Sequence, residues 1–328
     1  MLAQGLEKIG HTNLGNIDYW KEFGKDYLIN KSEIPLKNES IAIFSSTYIL
    51  KNHKEIPEIQ QNFKSYFLLD MEDGGEVTSC ESLYPLFTSV LRCHYNKTLH
   101  SQNNVFPWAF GITNHMIDWL DKIERTDSEI IQTNFRVKHE TRVKGITLLK
   151  KLLKDQASFV EKIDIIDQGY IEKLSEEQIH YFTITNHRCL PSYLNRLKNS
   201  MLAPAFGGWF YDRSENRIRR IFNRVLLRAN FRIPASYALV NFDSWRFWES
   251  MFAGVPTVHF DFELYAACFP VQPRNGVHYI GLDIKGDVNG ENLGKVLERK
   301  ESIGIAGRKF AKQNYSPQAM ALRFVSIL

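Results

Sequence analysis

The stretch DSWRFWESMFAGVPTVHFD, residues 243–261, decides the predicted fold. It begins with Asp and Ser, two residue types that cap helices because their side chains accept hydrogen bonds from the free N–H groups of a first turn. The Gly-Val-Pro at 254–256 supplies a residue for the left-handed position after a helix and then restarts the chain as a strand. The stretch therefore predicts a helix over Ser244–Ala253 and a buried strand over Thr257–Phe260.

On both sides of this segment, short apolar runs alternate with longer stretches of helical periodicity. Strands are predicted at Ile41–Phe44, Tyr66–Leu69, Ser89–Cys93, Val105–Phe110, Glu129–Phe135 and Met201–Phe206. Helices are predicted at Thr141–Leu153, at Tyr193–Lys198 and over Glu291–Leu328 except near Ser316 and Pro317. This alternation is typical of βαβ units with parallel sheets, and the chain is predicted to be α/β with two doubly wound halves.

Length and local composition give the predicted domains. The 328 residues suffice for two domains of ordinary size. The charged stretch Asp121–Asp127 is predicted to be the linker, so the domains are assigned to residues 1–125 and 126–328. Residues 207–242 are predicted to be an insertion in the second domain, and packing of the C-terminal helices back on the first domain is left open.

Composition excludes several classes of protein. Apolar residues make up 44% and charged residues 24% of the chain, which argues against a disordered, collagen-like or coiled-coil protein. No run approaches the roughly 20 apolar residues of a membrane span, and the N-terminal residues lack the apolar core of a signal peptide, so we expect a cytoplasmic protein. The four cysteines form no Cys-x-x-Cys pair, which favours reduced thiols over a zinc site or disulfides.

Positive charge is concentrated in one segment. The 41 basic and 37 acidic residues give a net charge of +4, but residues 213–232 (RSENRIRRIFNRVLLRANFR) hold seven arginines and one acid, a local +6. The rest of the chain therefore sums to −2, and a protein that coats nucleic acid is not expected.

The same segment has the periodicity of an amphipathic helix. Ile218, Ile221, Phe222, Val225 and Leu226 have the spacing of one helix face, and Arg217, Arg220, Arg224 and Arg228 form a second stripe. Such a helix can hold an acidic or phosphorylated acceptor, with Arg217, Arg220 and Arg224 as anion-binding residues, or rest on an anionic membrane surface. A third alternative is a helix packed on its domain with the arginines in solvent.

The first turn of the predicted helix at 244–253 is suited to a phosphate. Its unpaired N–H groups and the positive end of the helix dipole attract an anion, and Arg246 opposes that dipole unless an anion is nearby. Glu249 lies three residues on, on the same face, where a carboxylate can accept hydrogen bonds from ribose hydroxyls. The alternative is a surface helix with an Arg-Glu ion pair, whose aromatic residues belong to the core.

The run SWRFWESMFAGVPTV, residues 244–258, resembles the nucleotide-sugar-binding motif of exostosin-like glycosyltransferases, a branch of the GT-B superfamily. The resemblance extends over most of residues 129–328. It is carried by LKNSMLAPAF at 197–206, NGVHYIGL at 275–282 and Tyr-Ser-Pro at 315–317. In the first half only residues 105–111 resemble the family's interdomain region.

This resemblance implies two Rossmann-like domains facing across a cleft, with the nucleotide on the C-terminal half and the acceptor on the N-terminal half. By position, the donor-binding residues would be Ser244, Trp245, Arg246 and Glu249, with Ser244 and the following amides on the diphosphate, Arg246 neutralising it and Glu249 on the ribose. The chain departs from the family in its long insertion between Phe206 and Asp243 and in its short first domain, so the resemblance leaves the acceptor undefined.

The implied reaction needs a base and a positive group for the leaving diphosphate. The acidic residues after the strand at 66–69 are candidates for the base, because ligands gather at the carboxyl ends of parallel strands. Asp73, next to Gly74, is the first choice, and Glu72, Glu76 and His94 are alternatives. The alternative for each of these residues is a solvated acidic loop without a catalytic role.

Metal dependence and stereochemistry are also predicted. Asp261-Phe262-Glu263 is the nearest approach to an Asp-x-Asp metal motif, and it is interpreted as a turn, so Arg246 and the helix N-terminus are expected to replace a metal and no cofactor is predicted. Asn241, not a carboxylate, stands eight residues before Glu249, which favours an inverting mechanism.

The sequence thus predicts a metal-independent, inverting glycosyltransferase that uses a nucleotide-sugar donor and a glycan or lipid-linked acceptor. Two alternatives stay open. One is a catalytically silent module that binds a nucleotide or sugar, and the other is an adaptor that binds an acidic partner through the arginine-rich helix.

Overall fold

The computed structural model describes residues 2, 6, 8, 41–57, 64–72, 79–126, 128–133, 135, 139–161, 172–176, 178–179, 191–214, 217–228 and 237–328. Eleven strands lie in these ranges: β1 Ile41–Ser45, β2 Ser65–Asp70, β3 Ser89–Arg92, β4 Val105–Pro107, β5 Ile130–Gln132, β6 Ser158–Val160, β7 Ala203–Pro204, β8 Trp209–Asp212, β9 Tyr237–Val240, β10 Thr257–Phe260 and β11 Ile280–Leu282.

Nine α-helices are described in the same ranges: α1 Ser46–Asn52, α2 Asn114–Lys122, α3 Glu140–Leu153, α4 Pro191–Lys198, α5 Arg217–Arg228, α6 Trp245–Ala253, α7 Leu293–Leu297, α8 Lys300–Tyr315 and α9 Pro317–Val325. Short 3-10 turns lie at His53–Glu55, Glu81–Leu86 and Lys154–Gln156. The fold is mixed α/β, as predicted.

The first half contains a parallel sheet of four strands in the order β1-β2-β3-β4. Its strands are apolar runs because a parallel sheet is covered on both faces. On one face, Phe67 and Leu91 join the main cluster of buried apolar residues, and on the other, Leu68 and Val90 belong to a smaller cluster. The sheet is therefore enclosed between two apolar layers.

The second half contains a parallel array built from two smaller sheets. In the first of these, β5 pairs with β6. In the second, β10 lies between β7 and β11 and pairs with both. A parallel bridge from Ile131 to Leu202 joins the two. The resulting order, β6-β5-β7-β10-β11, is the doubly wound order 2-1-3-4-5, in which ligands bind where the order reverses, beyond the carboxyl ends of β5 and β7.

Apolar packing connects the two halves. The main buried cluster includes side chains from β2, β3, β10 and the C-terminal helices. Phe67 of β2 meets Phe324 of α9 with ring centroids 5.0 Å apart. Within the second half, helix α8 packs closely on the end of α6, and a Cβ on Gly304 would stand 2.4 Å from the carbonyl oxygen of Gly254.

Several predicted boundaries need correction. The strand predicted at 201–206 is reduced to Ala203–Pro204. Pro204 has no N–H to donate on the side of β5, although the Ala205 N–H still donates to the Val258 carbonyl of β10 at 2.8 Å. The strand predicted at 105–110 ends at Pro107. Asp121, predicted to lie in a linker, belongs to helix α2 and receives a hydrogen bond from Lys312 of α8 at 2.7 Å.

The predicted insertion contains a hairpin with a helix in its connection. β8 and β9 pair antiparallel, with Trp209 opposite Val240, and α5 lies between them in sequence. The predicted helix is confirmed, and it contacts the domain through Asn223, but four residues of its predicted apolar face do not pack on the domain, since Ile218, Ile221, Phe222 and Val225 are all more than half exposed.

Among the described residues, no helix combines the length and the hydropathy that a transmembrane segment needs. Cys80, Cys93 and Cys268 form no disulfide, and the first two are buried, while Cys189 lies outside the described residues.

Candidate functional site

Helix α6 begins and ends as its sequence predicts. The Ser244 hydroxyl caps the first turn by accepting from the Phe247 N–H at 3.3 Å. At the other end Gly254 has a φ of 73°, and its N–H reaches the carbonyls of the last turn. Seven of the nine residues are buried, so the alternative of a surface helix is wrong.

Asp243 does not cap this helix but joins it to the first half of the chain. Its carboxylate accepts from the Phe110 N–H at 2.7 Å and from the Trp248 indole N–H at 2.6 Å. Its own N–H donates to Nδ1 of His94 at 3.1 Å. Since His94 follows β3 and Phe110 follows β4, the carboxyl ends of the first sheet meet the start of α6 here.

Arg246 lies in the first turn of α6 and faces two aromatic rings. Its guanidinium is 4.4 Å from the ring centre of Phe135 and 5.4 Å from that of Tyr193. Both contacts lie within the range of cation–π attraction. Phe135 comes shortly after β5, so Arg246 lies where the strand order of the second half reverses.

A second arginine approaches the same ring. Arg142, in the first turn of α3, stands 5.0 Å from the ring centre of Phe135 and donates from Nε to the Phe206 carbonyl at 3.0 Å. Two like charges near one ring repel, and a bound anion relieves that repulsion. The N-terminal, positive ends of α3 and α6 therefore meet near the switch point, the place where the strand order of the second half reverses.

Glu249 lies one turn further along α6 and is only 9% exposed. Its Oε2 accepts from the Tyr193 hydroxyl at 2.7 Å, and no donor among the described residues reaches its Oε1. Burial raises the pKa of this carboxyl, although the Tyr193 hydrogen bond and the charge of Arg246 act against the rise. The side chain thus presents one fixed and one available oxygen beside Arg246.

The aromatic residues of α6 divide into two groups. Phe247, Trp248 and Phe252 are buried in the core, as the core alternative predicts. Trp245 is half-buried and stacks on Phe110, with ring centroids 6.0 Å apart and planes at 16°. Trp245 is therefore directed toward the first half of the chain.

The predicted acidic loop is described only in part. Asp73 and Glu76 lie outside the described residues. Glu72 lies just after β2, donates from its N–H to Asp70 at 3.0 Å, and accepts from the Ser79 N–H at 2.8 Å. The Glu72 side chain therefore connects the start of this loop, at the carboxyl end of β2, to Ser79.

Asp70, beside this loop, belongs to a buried network that the sequence did not indicate. Its Oδ2 pairs with Arg92 at 2.5 Å and also accepts from the Tyr84 hydroxyl. Arg92 in turn donates from Nε to His100 at 3.1 Å. Asp70, Glu72 and Cys80 have potential metal-ligand atoms within 4.8 Å of one another, but protein donors already bond both oxygens of Asp70 and Oε2 of Glu72.

Two other predicted groups lie elsewhere in the fold. Asp261 is nearly buried in a turn after β10, where it accepts from the Glu263 N–H at 2.9 Å and from the Asn275 amide at 2.8 Å. Of the predicted anion-binding arginines on α5, Arg220 is exposed, and the side chains of Arg217 and Arg224 lie outside the description. No described contact links α5 to Arg246 or Glu249.

Sequence reasoning missed Arg142, Phe135 and Tyr193. Arg142 could have been found by the signal that indicated Arg246, since it too lies in the first turn of a helix that follows a strand. Phe135 and Tyr193 carry no comparable signal, because only the fold brings them to α6.

No family model matches the chain, and no curated protein matches it. The resemblance to exostosin-like glycosyltransferases therefore stays a prediction from the motif at residues 244–258.

Proposed function

We propose that the protein is a GT-B glycosyltransferase that moves a sugar from a nucleotide-sugar donor to a hydroxyl of a glycan or glycoconjugate. One observation carries the proposal: Arg246 and Glu249 lie one turn apart on a capped helix, beside the switch point of a doubly wound array. Nucleotides bind at this place in open α/β sheets.

The diphosphate would bind at the start of α6. The positive end of the helix dipole at the first turn after Ser244 and the guanidinium of Arg246 would attract the diphosphate, and Arg142 adds a second cation from α3. These groups would stabilise the diphosphate as it leaves, which is the task that a divalent metal performs in other transferases. The proposed reaction therefore requires no metal.

The ribose would bind to Glu249. Three residues of helix rise by about 4.5 Å, which separates the carboxylate from the phosphate groups at the first turn. Oε1 is available to the ribose hydroxyls while Tyr193 holds Oε2. Trp245 would line the donor side of the boundary between α6 and the first half of the chain.

The acceptor would approach from the first half of the chain. In an inverting reaction its hydroxyl oxygen attacks the anomeric carbon, the bond from that carbon to the diphosphate breaks with its electron pair, and a carboxylate takes the hydroxyl proton. Asp73 is proposed as that base, with Glu72 and Glu76 as the alternatives. All three follow β2, whose carboxyl end lies at the same edge of the sheet as His94 and Phe110.

Incubation of the protein with a panel of nucleotide sugars, in the presence of EDTA, tests the proposed reaction. We expect slow donor hydrolysis without acceptor and transfer when a suitable acceptor is added. Asp73→Asn should lower kcat by about 10² to 10⁴ and leave donor binding unchanged, with Glu72→Gln and Glu76→Gln as matched variants. Donor binding without any turnover would instead indicate a silent nucleotide- or sugar-binding module.

A further inference from the structure

Helix α5 is attached to the protein by one side. The side chain of Asn223 is almost fully buried, and its amide donates to Asp212 at 2.9 Å and to Ser214 at 3.1 Å. Both acceptors lie at the end of β8. This side of the helix therefore faces the body of the protein.

The opposite side of the helix is apolar and exposed. Ile218 is 78% exposed, Ile221 57%, Phe222 61% and Val225 58%. At 100° per residue, the four side chains form one stripe centred about 150° from Asn223. A stripe of large apolar side chains directed into water indicates a surface that binds something.

The charge of the helix indicates what it binds. Its twelve residues include five arginines and no acidic residue, and Arg220 is exposed. An exposed apolar stripe on an arginine-rich helix is the composition of helices that lie in the interface of a membrane, where arginines meet lipid phosphates and apolar side chains enter the acyl region.

Other occupants fit less well. A second copy of the chain would bring two strongly basic helices together, which like-charge repulsion opposes. A nucleic acid would satisfy the arginines but would leave four exposed apolar side chains without a partner. An anionic bilayer satisfies both properties.

We propose that α5 docks the protein on membranes that contain anionic phospholipid, with Ile218, Ile221, Phe222 and Val225 inserted below the headgroups. The helix axis then lies in the plane of the membrane, and Asn223 faces the protein above it. This surface is independent of the proposed glycosyl transfer, since it requires neither Arg246 nor Glu249.

Flotation of the full chain with lipid vesicles tests the proposal. One set is pure phosphatidylcholine and the other contains an equal part of phosphatidylglycerol. We expect binding to the anionic vesicles, weaker binding at high salt, and little binding to pure phosphatidylcholine. Phe222→Ser should weaken binding to anionic vesicles about tenfold, and Arg220→Gln about threefold or more.

The matched control is Ile305→Ser, because Ile305 is equally exposed, at 67%, but lies on α8. Circular dichroism and the melting temperature establish that each variant is folded. Failure of the wild type to bind anionic vesicles would overturn the proposal, as would equal weakening by Ile305→Ser. A dimer in lipid-free solution that Phe222→Ser dissociates would also overturn it and assign the surface to a second copy.

Discussion

Glu249, the proposed ribose-binding residue, carries a buried charge that reduces the stability of the folded protein. Its carboxylate is buried, and burial raises its pKa even though Tyr193 donates a hydrogen bond to it and Arg246 lies nearby. When folding raises the pKa of a carboxyl group, the charged form of that group destabilises the folded state relative to the unfolded state. A buried charge that opposes folding is expected at a functional position rather than in a structural core.

Glu249→Gln should therefore stabilise the protein at neutral pH, because glutamine keeps the shape and can accept from Tyr193 without a charge. We expect the free energy of unfolding to rise. Since the folded pKa lies above the unfolded value, the wild type gains stability as the pH falls through this window. The stability gained through Glu249→Gln should become smaller as the pH is lowered toward the usual pKa of Glu, about 4.3.

Urea denaturation of both proteins across this pH range measures the effect. Glu301→Gln, at an exposed ion pair, is the matched control. A variant that is less stable than the wild type at neutral pH would contradict this account of Glu249.

The positions of Arg246 and Glu249, one turn apart on a helix capped by Ser244, could be predicted from the sequence because their signals are local. A basic residue in a first turn opposes the helix dipole, and a carboxylate three residues on shares its face. The burial of Glu249 and its bond to Tyr193 could not be predicted, because Tyr193 comes from a separate helix.

At the scale of elements, strand β10 fixes the turn beside the candidate site. His259 is buried, accepts from the Gly207 N–H at 3.0 Å, and contacts the Phe260 carbonyl through Nδ1 at 3.1 Å. Gly208, which follows Gly207 in the chain, has a φ of 70°, and a Cβ on it would overlap the Val240 carbonyl. The turn after β7 thus depends on a neutral histidine and on glycine.

The stability of this element should depend on pH. Burial, the largest influence, lowers the pKa of His259 to about 4 from its usual 6.5. The folded state therefore binds fewer protons than the unfolded state between these values, and stability is lost as the pH falls through this window. The loss amounts to about 3 kcal/mol when the window has been crossed.

His259→Gln should be less stable than the wild type at neutral pH, and the difference should narrow as the pH falls from about 6.5 toward 4. Urea denaturation at several pH values measures the difference, with His259→Asn as a second variant and the exposed His115→Gln as the control. A difference that stays constant with pH would refute the role of the neutral imidazole.

Elements differ in how well the sequence predicts them. The strands at 41–45, 65–70 and 257–260 were predicted closely, because each is an apolar run bounded by polar or turn residues. The strand pair β8 and β9 lies in the predicted insertion at 207–242, where the periodicity indicates only a helix. Periodicity predicted α5 but not that its apolar face is exposed, because periodicity does not say what covers a face.

At the scale of the whole molecule, Asp243 joins the two halves. Its carboxylate holds Phe110 from the first half and Trp248 of α6, and all three are at least partly buried. Removing one acceptor from such a buried group leaves an N–H without a partner, which costs about 1–3 kcal/mol.

Asp243→Asn should lower the free energy of unfolding by that amount, because one of its two oxygens becomes an amide that cannot accept. Trp248→Phe, which removes the indole donor, should cost less in the Asp243→Asn background than in the wild type. Urea denaturation of the two single variants and the double variant measures the coupling. Strictly additive losses would show that the two side chains do not act together.

The sequence predicted the α/β class and the parallel sheets, and the structure confirms both. The arrangement of two domains across a cleft stays a prediction. Contacts such as Phe67 with Phe324 join residues far apart in the chain, and no local pattern encodes them.

We propose that the start of α6 binds a nucleoside diphosphate. Calorimetric titration with uridine and guanosine diphosphates, in EDTA, tests it in the wild type, Arg246→Met, Glu249→Gln and the control Arg299→Met, which alters an exposed ion pair. We predict that the wild type and the control bind one of the two nucleotides equally well, and that the other two variants bind it about tenfold or more weakly. Equal affinity in all four proteins, or no binding of either nucleotide by the wild type, would contradict the claim.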